Sequence, residues 1–218
     1  MNTPSSLFAT MTIGFALGLR HALDTDHLVA VSTLVARERS FWRSTRVGAI
    51  WGLGHTATLF VMGLAIIVLG WRIPDRVEHW LELSVAVMLV LLGARTLYLW
   101  RHQGRPRSDN SHHTTQKRGA PHQSFWVGMV HGLSGSAELM LLVLATIHQP
   151  VWALIYITIF GAGMMVAMFV LTAVLARLLD LTARFKDGWK QVDNGLRALT
   201  GIGSLCFGTF LLWQLLYK

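Results

Sequence analysis

Leu7-Phe8-Ala9-Thr10-Met11-Thr12-Ile13-Gly14-Phe15-Ala16-Leu17-Gly18-Leu19 runs through Arg20 into His21-Ala22-Leu23-Asp24-Thr25-Asp26-His27, and Leu28-Val29-Ala30-Val31 follows. The flanks are apolar enough for a bilayer, yet the centre holds two histidines and two carboxylates. An ionisable side chain at the bilayer centre costs roughly 2.5–3.5 kcal/mol on insertion scales. Four within seven residues are hard to explain as filler. Imidazole and carboxylate are also ligand types that suit nickel, cobalt and related divalent ions.

The rest of the chain supports a membrane setting. Of its 218 residues 53% are hydrophobic and 14% charged, and the mean hydropathy is +0.47. Apolar stretches able to span about 30 Å of hydrocarbon lie near Leu7–Ala36, Val47–Gly70, Trp80–Trp100, Ser124–Ile147, Val151–Leu179 and Ala198–Tyr217. The fold class predicted is therefore all-α integral membrane with six transmembrane helices. The first and fifth stretches exceed one straight span, so each is tilted, broken or extended into the interface. Most tryptophans lie near segment ends, where an aromatic belt places them.

Basic residues alternate between connections. Arg37, Arg39, Arg43 and Arg46 follow the first stretch, Arg101, Arg105, Arg107, Lys117 and Arg118 the third, and Arg184, Lys186, Lys190 and Arg197 the fifth. The positive-inside rule puts these loops in the cytoplasm and both termini outside. They also account for the net charge of +8, and no patterned basic helix or aromatic platform supports nucleic-acid binding. The lone Cys206 excludes a disulfide framework. The N-terminal run lacks a basic leader and continues into the motif, so it is expected to be a retained helix.

An internal repeat appears on shifting the sequence. At 110 residues Phe15, Gly18, His21 and Leu23 fall on Phe125, Gly128, His131 and Leu133. At 109, Ile50-Trp51-Gly52-Leu53-Gly54 falls on Ile159-Phe160-Gly161-Ala162-Gly163, and Phe60-Val61 on Phe169-Val170. The third pair of helices matches weakly, around Gly93 and Gly208. Three-helix copies must enter the membrane from opposite sides, giving two inverted three-helix repeats, an architecture of transporters with midplane sites. The division expected is a first repeat over 1–100, a cytoplasmic His-containing loop over 101–123 and a second repeat over 124–218.

On a straight helix His21, Asp24 and His27 share one face, while Asp26 points away unless the helix unwinds. Arg20 stands four residues before Asp24, so an Arg20–Asp24 ion pair is the plain alternative for that acid. His55, in Gly54-His55-Thr56, is a further intramembrane imidazole, and His131 is the repeat mate of His21. The second copy replaces Asp24 and Asp26 by Ser134 and Ser136 and His27 by Ala137, with Glu138 as a nearby carboxylate. Met164 and Met165 replace His55 and Thr56, and thioethers there read as packing more readily than as soft ligands. The candidate metal residues are thus His21, Asp24, Asp26, His27, His55, His131 and Glu138. With straight helices they form a ladder of depths; a break near Asp24–Asp26 gathers them instead. His102, His112, His113 and His122 of the hydrophilic loop read as a solvated linker before they read as a metal trap.

Arg20-His21-Ala22-Leu23-Asp24-Thr25-Asp26-His27-Leu28 resembles the HX4DH signature of the nickel/cobalt transporter superfamily, and Leu53-Gly54-His55-Thr56 resembles its second patch. The second half, with its histidine and serines in place of acidic motifs, and the short length look more like the UreH-type urease-accessory branch. The resemblance implies transport of nickel, or of cobalt, across a prokaryotic inner membrane to supply enzymes such as urease, with His21, Asp26, His27 and His55 in the path. The ion is then a transported substrate, no cofactor is permanently bound, and the partners are the divalent ion and the lipid bilayer. No GxxxxGK[ST] loop for ATP is present, which leaves a secondary permease. Efflux is the alternative direction. A different class is an intramembrane acyltransferase, for which His21 and Asp26 also have an HX4D spacing; an anion permease would find the acids of the wrong sign.

Overall fold

The computed structural model describes residues 4–36, 38, 40–70, 74–102, 120–134, 147, 149–183 and 189–217. Among them are seven α-helices and no strand: α1 (Pro4–His21), α2 (Thr25–Val35), α3 (Phe41–Leu69), α4 (Asp75–His102), α5 (Ala120–Leu133), α6 (Pro150–Ala183) and α7 (Trp189–Leu216). Among the described residues, four stretches are long and apolar enough to cross a bilayer: Phe41–Leu69, Arg76–His102, Pro150–Leu178 and Gly195–Leu216.

The first apolar stretch is broken. α1 stops at His21 and α2 begins at Thr25, with Asp24 extended between them (φ −62°, ψ 145°). The break leaves little backbone unsatisfied, because the turn tightens as it closes. Ala22 N–H donates to Gly18 O at 3.2 Å, Leu23 N–H to Arg20 O at 2.9 Å and Asp24 N–H to His21 O at 3.1 Å, after which Leu28 N–H restarts the ladder on Asp24 O at 3.0 Å. Irregular backbone at membrane depth is tolerated where it is buried in protein or lines a cavity, and Ala22 is fully buried. The fifth stretch is one unbroken helix of 34 residues, α6; at 1.5 Å per residue that is about 51 Å, so it reaches well beyond the hydrocarbon. The Ser124–Ile147 stretch is helical to Leu133, and residues 135–146 lie outside those described.

The principal packed pairs are α3 with α6, α4 with α7, α3 with α5 and α1 with α6. Glycines set the crossings. A Cβ at Gly18 would overlap the Phe160 carbonyl, and one at Gly128 would overlap the Trp51 carbonyl. Likewise Gly163 lies on the Phe15 carbonyl and Gly54 on that of Phe125. On α4 and α7, Gly93 faces Gly201 O and Leu205 N, while Gly208 faces Ala86 O and Val90 N. The register shows direction: Gly48, Gly52 and Thr56 meet Thr172, Met165 and Gly161 in turn, so α3 and α6 are antiparallel. Val47, Trp51 and His55 meet Ser124, Gly128 and Gly132, so α3 and α5 run parallel. Small residues at close crossings, with serines donating across helices, are how helices associate in lipid; Ser124 Oγ donates to Val47 O at 2.5 Å and Ser204 Oγ to Leu89 O at 2.8 Å.

Trp51, Ala30, Val31, Leu89, Met164 and Met168 form the centre of the core, while Val61, Leu91, Val170, Phe210 and Trp213 are exposed on the outside. An apolar exterior is what a bilayer requires. The four carbonyl contacts make a sharp stability test. Gly18→Ala or Gly128→Ala must push two backbones apart, an overpacking cost of roughly 1–3 kcal/mol, and is expected to lower the thermal unfolding temperature of the detergent-solubilised protein. Gly203→Ala, where nothing lies within 4 Å, should leave that temperature unchanged or slightly raised through helix propensity.

Candidate metal centre

The break brings the end of α1 and the first turns of α2 against α3 and α5. His21 closes α1, His27 lies in α2, His55 in the middle of α3 and His131 near the end of α5. Ring centroids are 4.7 Å apart for His21 and His27, 5.4 Å for His21 and His55, 5.2 Å for His27 and His55, and 5.3 Å for His27 and His131. The straight-helix ladder of depths is therefore not what forms: one cluster is. His27, His55 and His131 are buried, and His21 is partly so.

Three of the rings are held by Nδ1. His21 Nδ1 lies 2.7 Å from Asp24 Oδ2. His27 Nδ1 is 2.9 Å from the His21 carbonyl and His131 Nδ1 is 3.3 Å from that of Val127. A carbonyl oxygen only accepts, so Nδ1 of His27 and of His131 carries the proton and the Nε2 lone pair is left free. Histidines that ligate metals are commonly oriented in this way, by donating the other ring nitrogen to a carboxylate or carbonyl. His27 thereby bridges the break, since it adds a second hydrogen bond to the carbonyl at the end of α1 that accepts Asp24 N–H.

His55 differs. It is fully buried, and among the described residues neither Nδ1 nor Nε2 has a hydrogen-bond partner, nor does the buried Nε2 of His131. Burying such atoms unpaired costs on the order of 1–3 kcal/mol each, so a protein that keeps them has a use for them. Among the described residues, His21, His27 and His55 each present a donor atom, and all three atoms lie within 4.8 Å of one another. Nitrogens bound to one tetrahedral ion at about 2.1 Å lie roughly 3.4 Å apart. Closing all three on such an ion therefore needs side-chain movement of about an ångström.

The acids take separate places. Asp24 pairs with His21, not with Arg20, and is half exposed. Asp26, expected to point away from a straight helix, turns inward because the helix restarts just before it: its Oδ2 is 3.7 Å from both His27 Nε2 and His131 Nε2. Glu138 lies outside the described residues. Met164 is fully buried in the core and Met165 packs where Gly52 leaves room, so both are packing residues. His102 bonds through Nδ1 to Tyr98 O and stacks on that ring, away from the cluster.

Sequence reasoning passed over Trp51. Its indole lies 5.0 Å from His27, 5.3 Å from His131 and, stacked, 5.4 Å from His55. The signal was there, since Trp51 stands four residues before His55 on the same helix face. The indole N–H only donates and cannot ligate, so the ring acts as an apolar wall that fixes the imidazoles around it.

A helical bundle with an apolar exterior has the character of a membrane protein, and its four clustered imidazoles are of the chemical type that could hold a transition-metal ion. Residues 7–132 match the NicO family of high-affinity nickel-transport proteins, and the chain belongs to that family. The match spans all four clustered histidines. In particular, the chain is 33% identical over 215 residues to the urease accessory protein UreH of Bacillus sp. (strain TB-90), covering 96% of this chain and 92% of that one. It is 30% identical over 174 residues to the chloroplast protein FOR GROWTH AND FERTILITY 1 of Arabidopsis thaliana, 73% of this chain but 47% of the relative. The high-affinity nickel transport protein of Cupriavidus necator is 27% identical over 103 residues, 44% of this chain and 29% of the relative. No solved structure matches. The family is one of transporters and accessory proteins, and the acyltransferase reading of the HX4D spacing falls with that finding.

The Asp24 pairing gives a test separate from the ring nitrogens. Asp24→Asn keeps the shape and removes the charge that orients His21; loss of such a supporting group costs about 10- to 100-fold in metal affinity. Equilibrium dialysis of nickel against the purified protein is expected to show a loss at the lower end of that range, with the fold retained.

Proposed function

We propose that the chain is a secondary permease that takes up nickel, with cobalt as a second substrate, through the inner membrane of a prokaryote to supply an enzyme such as urease. The observation that carries this reading is His55: a fully buried imidazole with both nitrogens unpartnered among the described residues, within reach of His21 and His27. Family membership supports nickel as the ion. His21, His27 and His55 are the primary ligands, with Asp26 and His131 next to them and Glu138 contributing a carboxylate from the second half. Imidazoles replace part of the hydration shell, and Asp26 offsets charge that a low-dielectric interior would otherwise penalise.

The proposed architecture is six spans as two inverted three-helix repeats, 1–100 and 124–218, joined by the cytoplasmic segment 101–123, with both termini outside. The paired glycine contacts support it. Gly18 on Phe160 and Gly128 on Trp51 exchange under the sequence shift, as do Gly163 on Phe15 and Gly54 on Phe125. Each of α3 and α4 also packs antiparallel on its proposed mate, α6 and α7. Repeats of this kind alternate access by rocking about a midplane site, and the histidine cluster would be that site.

Radioactive nickel should accumulate in cells or proteoliposomes containing the protein, without ATP, and His27→Ala should abolish accumulation. Wild-type protein that neither binds nor moves nickel or cobalt rules the reading out, and a fall in cellular nickel on expression would reverse the direction. Topology is checked separately: in a Cys206→Ser background, Ser108→Cys should react with an impermeant thiol reagent only from the cytoplasmic side.

A further inference from the structure

Asp26 has a second environment. Besides approaching His27 and His131, its carboxylate lines a cavity of about 440 Å³ whose other polar walls are Thr25 of α2, His79 and Glu82 of α4, Gln214 of α7 and Ser134 just after α5. His79 and Glu82 are three residues apart and so share a face of α4. Glu82 is part-buried, and it lies inside the stretch of α4 apolar enough to cross a bilayer. A carboxylate at that depth is costly unless it lines a watery space or meets a cation. His79 and Glu82 lie near the start of α4 and Gln214 near the end of α7, at the opposite end of these helices from the basic connections.

Two carboxylates in a low-dielectric cavity concentrate cations locally, although the chain as a whole carries +8. Oxygen donors with one imidazole suit an ion that still holds water, whereas the deeper cluster offers mostly nitrogen. The residue behind Asp26 points the same way. His131 is buried, and among the described residues its Nε2 has no hydrogen-bond partner but lies 3.7 Å from the Asp26 Oδ2 that lines the cavity. Asp26 thus touches both compartments. We infer that this cavity is a vestibule in which Glu82 and His79 capture a hydrated divalent cation from the external solution, and from which Asp26 delivers it to His131 and His27. The inference rests on the permease reading for its direction, but the binding step can be tested without transport.

The experiment uses the full chain in a Cys206→Ser background with Gln214→Cys as reporter. An impermeant maleimide applied to intact cells should label Gln214→Cys, and nickel chloride should slow that labelling. Adding His27→Ala, which stops transport under the permease reading, should leave the protection in place. Adding Glu82→Gln should raise the nickel concentration for half-protection about tenfold, the lower end of what loss of one supporting carboxylate costs in metal affinity, and His79→Gln should act in the same direction. In transport assays Glu82→Gln alone should raise KM for nickel by a similar factor and leave the maximal rate within about twofold, since the deeper ligands are intact. Absence of labelling from outside, absence of protection by nickel, or protection unaffected by Glu82→Gln would each overturn the vestibule. Protection without any nickel transport by the wild type would instead overturn the permease reading and leave the capture site standing.

Discussion

Everything at the centre of this molecule depends on a hydrogen bond across a gap: His27 Nδ1–H to the carbonyl of His21, at 2.9 Å. A helix that breaks inside a membrane exposes carbonyls that water cannot reach, each worth several kcal/mol if left unpaired, roughly on the scale of an amide moved into hydrocarbon. Here the His21 carbonyl accepts Asp24 N–H at 3.1 Å, and a side chain six residues further on adds a second bond to the same oxygen. The same bond fixes the tautomer of His27 and frees its Nε2. One interaction therefore ties the start of α2 to the end of α1 and presents a donor nitrogen. Asp24 does comparable work from the gap itself. Being extended, it gives its carboxylate to His21 and makes no side-chain cap on α2.

A straight helix through residues 7–36 would separate His21 from His27 by about 9 Å along the axis and put Asp26 on the far side. The gap at Ala22–Asp24 removes both problems. It folds the HX4DH run onto itself, so that a spacing written along the chain becomes a contact between rings in space. α3 and α5 then complete the cluster from two further directions, with Gly54 and Gly128 allowing the approach. The close crossings are thus the means by which His55 and His131 come within reach of the first pair.

The membrane class, the histidines and the glycine pattern were all legible in the amino-acid sequence, because each depends on composition or on short regular spacing. What was not legible depended on continuity. The i, i+4 rule that pairs Arg20 with Asp24 applies to an unbroken helix, and the facing of Asp26 was worked out on the same premise. No residue between Ala22 and Asp24 is a proline or glycine that would announce a break. Trp51 was hidden for another reason: a tryptophan in an apolar helix has an ordinary explanation, and only the surrounding rings give it a particular one. Gln214 could not be grouped with His79 and Glu82, since it stands more than 130 residues beyond Glu82, on a helix that meets theirs only in the folded chain.

The glycine crossings have a mechanical meaning beyond tight packing. Where side chains interlock as ridges in grooves, one helix moves over another only by lifting whole rows out of register. At Gly18, Gly54, Gly128 and Gly163 backbone rests on backbone, with no side chain of the glycine seated in a groove. Such a point works as a fulcrum: a helix can tilt about it with little repacking, while sliding past it still drags the neighbouring rows. Three of the four stand beside a histidine or one turn before it, Gly18 by His21, Gly54 by His55 and Gly128 by His131, so a tilt at these points would be felt directly at the imidazoles.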